Sequence, residues 1–503
     1  MKTMIRSLLQ AIAVREAHGA RAARRPAPAL ALAALLLAGC ATTALEPTAR
    51  ERAPERWLAT LPHGGDAQAL VDWWTRFDDP LPAQLVAAAQ AANPGLAQAL
   101  ARLAEARATL RSAGAARWPS VDGMAQATRG ASASSAFAAA TQGSAGIDAS
   151  WELDLFGATR AQVAAAQARS DQAAAGWHEA RVSLAADVVA TYVALRACEA
   201  QLQVADQDAA SQRQTAELTR EKVRVGFEAP ANGALADGAA ADAANRAIAQ
   251  RADCDVLLNG LGVLTGVAPT DLRARLVPRT AQLPQPAAFA VTVLPAQLLA
   301  QRPDVAAAER ALVAAAADVG VAEAARYPRL TFSGNLAAAT LRSGGVTLDG
   351  TAWGFGPTLV LPLFDAGARA GREDAARARY DAARAALDDR LRRAVAEVED
   401  ALVRLDAATR REGEALRAAQ GFRDYFAAAE QRWRIGAGSL IDREEARRTA
   451  LAANNALVNV QRERVAAWVS LYRALGGGWS ASQAAPDTAV SLSAPAADPL
   501  KSK

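Results

Sequence analysis

Residues 158–225 read ATRAQVAAAQARSDQAAAGWHEARVSLAADVVATYVALRACEAQLQVADQDAASQRQTAELTREKVRV. No proline interrupts this stretch, and Ala, Gln, Arg and Glu, all good helix formers, dominate it. At 1.5 Å per residue it makes a helix roughly 100 Å long, far beyond the helices of ordinary globular domains. The same holds for residues 366–435. Neither stretch carries an unbroken apolar face, so both predict coiled-coil packing, with alanine allowing close helix approach. Each run turns at a Gly-containing segment, 226–233 or 436–439, and a second helix returns.

Outward from these helices the chain repeats itself. Asn93-Pro94-Gly95-Leu96 opens a helical run that ends at Arg117-Trp118-Pro119, and Arg302-Pro303-Asp304-Val305 opens one that ends at Arg326-Tyr327-Pro328. Both pairs of prolines, 94 with 303 and 119 with 328, are 209 positions apart. Residues 151–157 match 359–365 at 208, while Arg224-Val225-Gly226 matches Arg434-Ile435-Gly436 at 210 and Thr265-Gly266 matches Leu475-Gly476 at 210. The near-constant offset marks a tandem duplication. Each half reads helix, strand, loop, strand, long helical hairpin. Repeat 1 occupies residues 86–290, with strands about 118–130 and 144–156 and a hairpin over 157–266. Repeat 2 occupies 291–480, with strands about 327–340 and 351–364 and a hairpin over 365–476. Gly/Ser/Ala/Thr loops are predicted over 130–146 and 340–350.

The strand signal is alternation of period two. Ile147, Ala149, Trp151, Leu153 and Leu155 interleave with Asp148, Ser150, Glu152 and Asp154. Leu330, Phe332 and Leu336 interleave with Thr331, Ser333 and Asn335. A soluble half-buried hairpin would alternate in the same way. Four strands cannot close a barrel alone, since small barrels need about eight, and open edges in lipid leave backbone groups unpaired. Three copies resolve this with twelve strands and a tube of twelve helices beneath, lipid facing the apolar side and water the polar side.

The N-terminus reads as a leader. Lys2, Arg6, Arg15, Arg21, Arg24 and Arg25, offset by Glu16, precede an apolar segment over residues 28–38, too short for a mature membrane helix. The segment ends in Leu37-Ala38-Gly39-Cys40, a bacterial lipobox pattern that places a signal peptide at 1–39 and acylation on Cys40. Two or three acyl chains there would anchor the chain stably where one would not. Met4 is an alternative start, and an ordinary secretory signal with a chance cysteine is the alternative reading. The whole chain is +4 and the leader +5, which leaves about −1 for the remainder. With no basic patch interleaved with aromatics, nothing points to nucleic acid. Residues 40–85 read as an anchor and equatorial segment, and 481–503, rich in Ala, Ser, Pro and Asp, as a disordered tail.

Residues 57–480 resemble the outer-membrane factor family: TolC-like channels, specifically the lipoprotein efflux subunits of the NodT/OprM type. The resemblance rests on Trp73-Trp74-Thr-Arg-Phe77-Asp78-Asp79-Pro80-Leu81, Asn93-Pro94, the two Arg-aromatic-Pro elements, Glu152-Leu153-Asp154-Leu155-Phe156-Gly157 and Leu361-Pro362-Leu363-Phe364-Asp365-Ala366-Gly367. It implies a homotrimer with a twelve-stranded outer-membrane barrel and a periplasmic α-barrel. It also implies docking to a periplasmic adaptor and an inner-membrane transporter, most often of the resistance-nodulation-division class. Such a channel passively conducts drugs or other small solutes and catalyses nothing.

The resemblance also implies a gate. In the family an aromatic-x-x-Gly at the second hairpin turn is followed nine positions on by an acidic residue, then Ala and often Arg. Here that reads Trp433-Arg434-Ile435-Gly436, then Glu445-Ala446-Arg447-Arg448. Glu445 takes the acidic ring position, Ile441 a nearby apolar constriction and Arg448 a partner, while Asp442 and Glu444 add carboxylates that leave the lumen-facing acid open. A three-fold carboxylate ring would repel itself when closed and attract cations. The alternative is that Glu444–Arg448 and Glu445–Arg448 pairs merely support an exposed helix. Arg224, Val225 and Gly226 at one tip, and Arg434, Ile435 and Gly436 at the other, are the implied adaptor contacts. Glu228-Ala-Pro230-Ala-Asn232-Gly233 departs from the family's shorter turn, so the two tips are expected to be non-equivalent.

Cys198 and Cys254 lie 28 residues either side of Gly226. Residues equidistant from a hairpin turn face one another, and the periplasm is oxidising, so the spacing predicts a disulfide. Two buried thiols are the alternative if the register differs by a few residues. His18, His63 and His178 have no ligand spacing, and no metal or cofactor site is indicated. Gly260-Leu-Gly262-Val-Leu-Thr-Gly266 imitates a dinucleotide loop but closes a helix, so an enzyme is not supported. Two further readings stay open. A metal-exporting channel of the same family is disfavoured by a methionine count of three, two of them in the leader. The other is a periplasm-spanning structural lipoprotein without a pore.

Overall fold

The computed structural model describes residues 73–131, 139–286 and 301–479. Cys40, the leader, the tail from 481 and His63 lie outside the described residues.

After a short 3-10 turn at Trp73–Arg76 comes α1 (Leu81–Ala92), whose first turn is held by Asp79 accepting from the Leu81 amide at 3.0 Å. It stops at Asn93, because the following Pro94 disfavours a helical predecessor. Asn93 then caps α2 (Pro94–Ala115), its side chain accepting from the amides of Gly95 and Leu96. Strands β1 (Ser120–Gly130) and β2 (Ala140–Leu153) follow, then α3 (Ala158–Arg224), α4 (Pro230–Thr265) and the short α5 (Pro269–Leu276). The second half repeats this with α6 (Pro303–Ala324), β3 (Arg329–Ser343), β4 (Val346–Val360), α7 (Ala368–Arg434) and α8 (Leu440–Ala474).

The strands form one antiparallel sheet in the order β1-β2-β3-β4, so the two halves join through β2 and β3. Pairing puts Trp151 opposite Phe332, and Ile147 opposite Leu336, which faces Trp353. Asp148 pairs with Asn335, and Ser150 with Ser333. Directly opposed residues share a face, so one face is aromatic and aliphatic and the other acidic and hydroxylated. Alternation in the sequence thus becomes a sheet with two chemistries.

Strand ends differ from the sequence expectation. The 340–350 segment is not a loop: β3 and β4 are joined at Gly344 and Gly345, both with left-handed φ of +56° and +83°. Such a two-residue turn matches the strand twist and requires residues tolerant of positive φ. β2 begins at Ala140, well inside the expected 130–146 loop, and ends at Leu153 because Asp154 turns to accept from the amides of Thr159 and Arg160. β4 ends at Val360, short of 364, where Pro362 has no N–H for the ladder.

The long helices span 67 residues each, and both begin after a left-handed glycine, Gly157 or Gly367. These starts lie 210 apart, not 208, the difference falling in the connection after β4. The hairpin tips close with the same backbone bonds, so the expected non-equivalence is confined to the helix that follows. Phe227 N–H donates to Lys222 O and Gly226 N–H to Val223 O, and Ala437 and Gly436 repeat both bonds onto Arg432 and Trp433. This double closure is the Schellman motif, with Gly226 and Gly436 supplying the left-handed residue. What differs is the next helix start: Ser439 and Asp442 form a capping box, while α4 begins with Pro230 and no side-chain cap.

The main core lies midway along α3, where α1 and the ends of α4 and α8 converge. The sequence motif at 73–77 supplies its aromatic centre: Trp73 stacks on Tyr472 at 5.8 Å, and Phe77 packs edge-on to Trp73 at 4.9 Å. Tyr192 donates to Asp79 and accepts from Arg196, which also donates to Leu276 O and Glu199. Toward the first tip the packing thins to Ala209, Ala243 and Ala247. Cys198 and Cys254 join α3 to α4 between these regions, their Cα atoms 5.6 Å apart.

Candidate gate at the helical hairpin tips

The second hairpin tip is built by the first turns of α8. Ser439 accepts from the Asp442 amide at 3.0 Å and donates its own amide to the Asp442 carboxylate, which occupies Asp442 as a cap. One residue past this cap the helix is divided into two faces. Glu444 and Arg447, three apart, are buried against α3, whereas Ile441, Glu445 and Arg448, at helical spacings of four and three, are exposed.

On the buried face Glu444 and Arg447 are both paired. Glu444 accepts from Nε and Nη2 of Arg447 at 2.9 and 2.6 Å, from Arg443 at 2.6 Å and from the Thr215 hydroxyl at 3.2 Å. Arg447 reaches on to Asp208 at 2.5 Å, and Asp208 accepts from Arg246 of α4 at 3.1 Å. Arg443 lies over the Trp433 ring, its guanidinium carbon 4.9 Å from the centroid. Burial alone would lower the pKa of Arg447, but its bonds to Glu444 and Asp208 outweigh burial and raise it. The Arg447 guanidinium therefore stays charged, and the network ties the second hairpin to both helices of the first.

The helix-surface pairs Glu444–Arg448 and Glu445–Arg448 do not form; Glu444 turns to Arg447 and Arg443 instead. Among the described residues, Glu445 and Arg448 enter no ion pair in the protomer. Of the expected site residues, the fold thus brings Glu445, Ile441 and Arg448 onto one free stripe, and commits Asp442 and Glu444 elsewhere. At the tips themselves Val225 and Ile435 are exposed, as is Phe227. Asp208, Thr215, Arg443 and Arg447 were not singled out from the sequence. Their partners lie up to 239 positions away, and no local spacing signals such a pair.

A half-sheet too narrow to close, set beside two helical hairpins of roughly 100 Å, defines the protomer of a channel completed by other copies. The sequence profile of the outer membrane efflux protein family matches residues 85–267 and 294–477, one segment in each half of the duplication, and the chain belongs to this family. Among curated relatives, the solvent efflux pump outer membrane protein SrpC of Pseudomonas putida is 29% identical over 472 residues, covering 90% of this chain and 98% of its own. Outer membrane protein OprJ of Pseudomonas aeruginosa is 30% identical, covering 90% and 96%. The solved outer-membrane channel OprN superposes with a TM-score of 0.74 at 30% identity, over 87% of this chain and 99% of that one.

These likenesses identify an outer-membrane channel subunit of an efflux pump. Three chains close a twelve-stranded barrel, continuous with a periplasmic tube of twelve helices. Among the described residues no helix is long and apolar enough to cross a membrane.

Proposed function

We propose that the trimer conducts organic solutes passively, handed on by a periplasmic adaptor and an inner-membrane transporter of the resistance-nodulation-division class. The channel narrows at a ring of Glu445 carboxylates with Ile441 beside it. The supporting observation is the division of α8: Glu444 and Arg447 are spent on holding the helix to the first hairpin, and the opposite stripe carries Ile441, Glu445 and Arg448 free of partners. Three carboxylates on the three-fold axis would favour cations and resist close approach, and three isoleucines would make the constriction apolar. Arg448, one turn on, is placed to pair with Glu445 of its own or a neighbouring chain and so to set how tightly the ring closes. The tip residues Arg224, Val225, Gly226, Arg434, Ile435 and Gly436 form the adaptor contact, and acyl chains on Cys40 tether the chain to the outer membrane.

Conductance of purified trimers in planar bilayers tests this reading. Glu445→Gln is expected to cut the cation preference of the wild type several-fold and raise the closed-state current. An unchanged preference would reject Glu445 as the ring. Absence of current from wild type and from tip variants alike would reject the pore.

A further inference from the structure

The lipid-facing side of the sheet changes character near its outer end. Reading up from the helices, opposed residues on that face are Leu153, Leu330 and Leu359, then Trp151, Phe332 and Pro357, then Ile147, Leu336 and Trp353. The top is different: Arg129 pairs with Thr141, Thr141 with Arg342, and Arg342 with Thr347. All four side chains on this level are hydrogen-bond donors and all four are exposed. The sheet holds three arginines and no lysine, and two of the three stand here.

The level is also the right one. Twelve residues of β3 separate Leu330 from Arg342, about 40 Å along the strand and roughly 30 Å in height once the strand tilts by about 40°. An apolar barrel band is about 25 Å tall, so the row sits just past its outer edge, where an arginine facing outward costs little. The β-turn at Gly344–Gly345 lies at the same end, while the long helices leave from the other, so this is the outer leaflet side. Arg129 and Arg342 are separated by β2, about 10 Å apart across the sheet. Among the described residues neither enters an ion pair. The carboxylate on this face is Asp349, one level below and opposite Thr340, so the positive charge prevails.

We propose that Arg129 and Arg342, with the hydroxyls of Thr141 and Thr347, bind the phosphorylated head group of an outer-leaflet glycolipid on the outer wall of the barrel. Guanidinium forks match phosphate oxygens in pairs, and two of them about 10 Å apart suit a head group bearing two phosphates. The proposal rests on the barrel reading, since only a lipid-facing wall exposes this row to head groups. Each trimer would carry three such sites.

Native mass spectrometry of the detergent-purified trimer, titrated with bisphosphorylated lipid A, dephosphorylated lipid A or phosphatidylethanolamine, tests it. The wild type is expected to retain the bisphosphorylated form at least 10-fold more tightly than the other two, and Arg129→Gln/Arg342→Gln to remove that preference while keeping the trimer and its conductance. Wild-type retention of the variant, or equal binding of phosphorylated and dephosphorylated glycolipid by the wild type, overturns the site. Altered ion selectivity with unchanged lipid binding would put the guanidiniums in the lumen and overturns it as well. If the double glutamine variant does not assemble, the comparison of the two glycolipids on the wild type decides. A monomeric, non-conducting wild type would instead fail the barrel reading.

Discussion

Arg447 on α8 donates to Asp208 on α3 at 2.5 Å, joining the two helical hairpins of one protomer through residues 239 positions apart. The same guanidinium holds Glu444 on its own helix, and both are buried. The side chains that would line the entrance are therefore presented by a helix whose opposite face is fixed, and the fixing partner belongs to the other half of the duplication.

Removing Arg447 leaves two carboxylates near the interface with their main partner gone. Because Arg443 still reaches Glu444 and Arg246 still reaches Asp208, such a loss costs on the order of 1–3 kcal/mol. Arg447→Met is expected to lower the melting temperature and to loosen the second hairpin, seen as a larger closed-state current in planar bilayers. A lower melting temperature with an unchanged current would limit the tether to stability.

The Cys198–Cys254 bond closes a loop over a separation of 56 residues. Chain entropy gives such a crosslink about 4 kcal/mol. Reduction, or Cys198→Ser/Cys254→Ser, is expected to lower the melting temperature of the trimer by several degrees, read by circular dichroism with and without reductant. Equal melting of oxidised and reduced protein would contradict this.

His178 is buried between Trp177 and Trp479 with no hydrogen-bond partner at Nδ1. Burial first, then the nearby Arg181 charge, lowers its pKa from 6.5 to about 4. The folded state keeps the imidazole neutral while the unfolded chain takes a proton below pH 6.5. This contribution is therefore complete above pH 6.5 and declines as the pH falls toward 4, by on the order of 3 kcal/mol. Melting at pH 7 and pH 5 should show a larger acid loss for the wild type than for His178→Asn. Parallel losses would mean the imidazole is not responsible.

Gly477 sits at φ +62°, where an added Cβ would lie 2.6 Å from the Tyr472 hydroxyl and 2.8 Å from Val182. Gly477→Ala combines backbone strain with overpacking and is expected to cost about 2–4 kcal/mol, lowering trimer yield and melting temperature. Gly238→Ala, in open space within α4, should be neutral or slightly stabilising. If both variants melt alike, the aromatic core tolerates more than its packing implies.

Legibility in the sequence followed the range of the interaction. The alternation around Trp151 and Leu330, the proline-free helical runs and the helix start at Asn93-Pro94 are local signals, and the structure carries each of them as read. The Gly344-Gly345 turn was local too, yet its glycines looked like loop because composition does not distinguish a tight left-handed turn from an open one. The tips were expected to be unequal because residues 228–233 depart from the family's shorter turn, although both close on a left-handed glycine, Gly226 or Gly436, with the same backbone bonds.

By itself, then, the sequence determined the duplication, the four strands with their two chemistries, and two hairpins too long for a globular fold, because periodicity and chain length act through neighbours a few residues apart. Through the family resemblance it also put Glu445 at the ring position, but the added carboxylates of Asp442 and Glu444 left the lumen-facing acid open. Only the tertiary structure separated the three, by capping with Asp442, turning Glu444 onto Arg447 and leaving Glu445 free. The reason is physical: which face of α8 meets α3 is set by packing between segments more than two hundred residues apart, and no local pattern encodes that rotation.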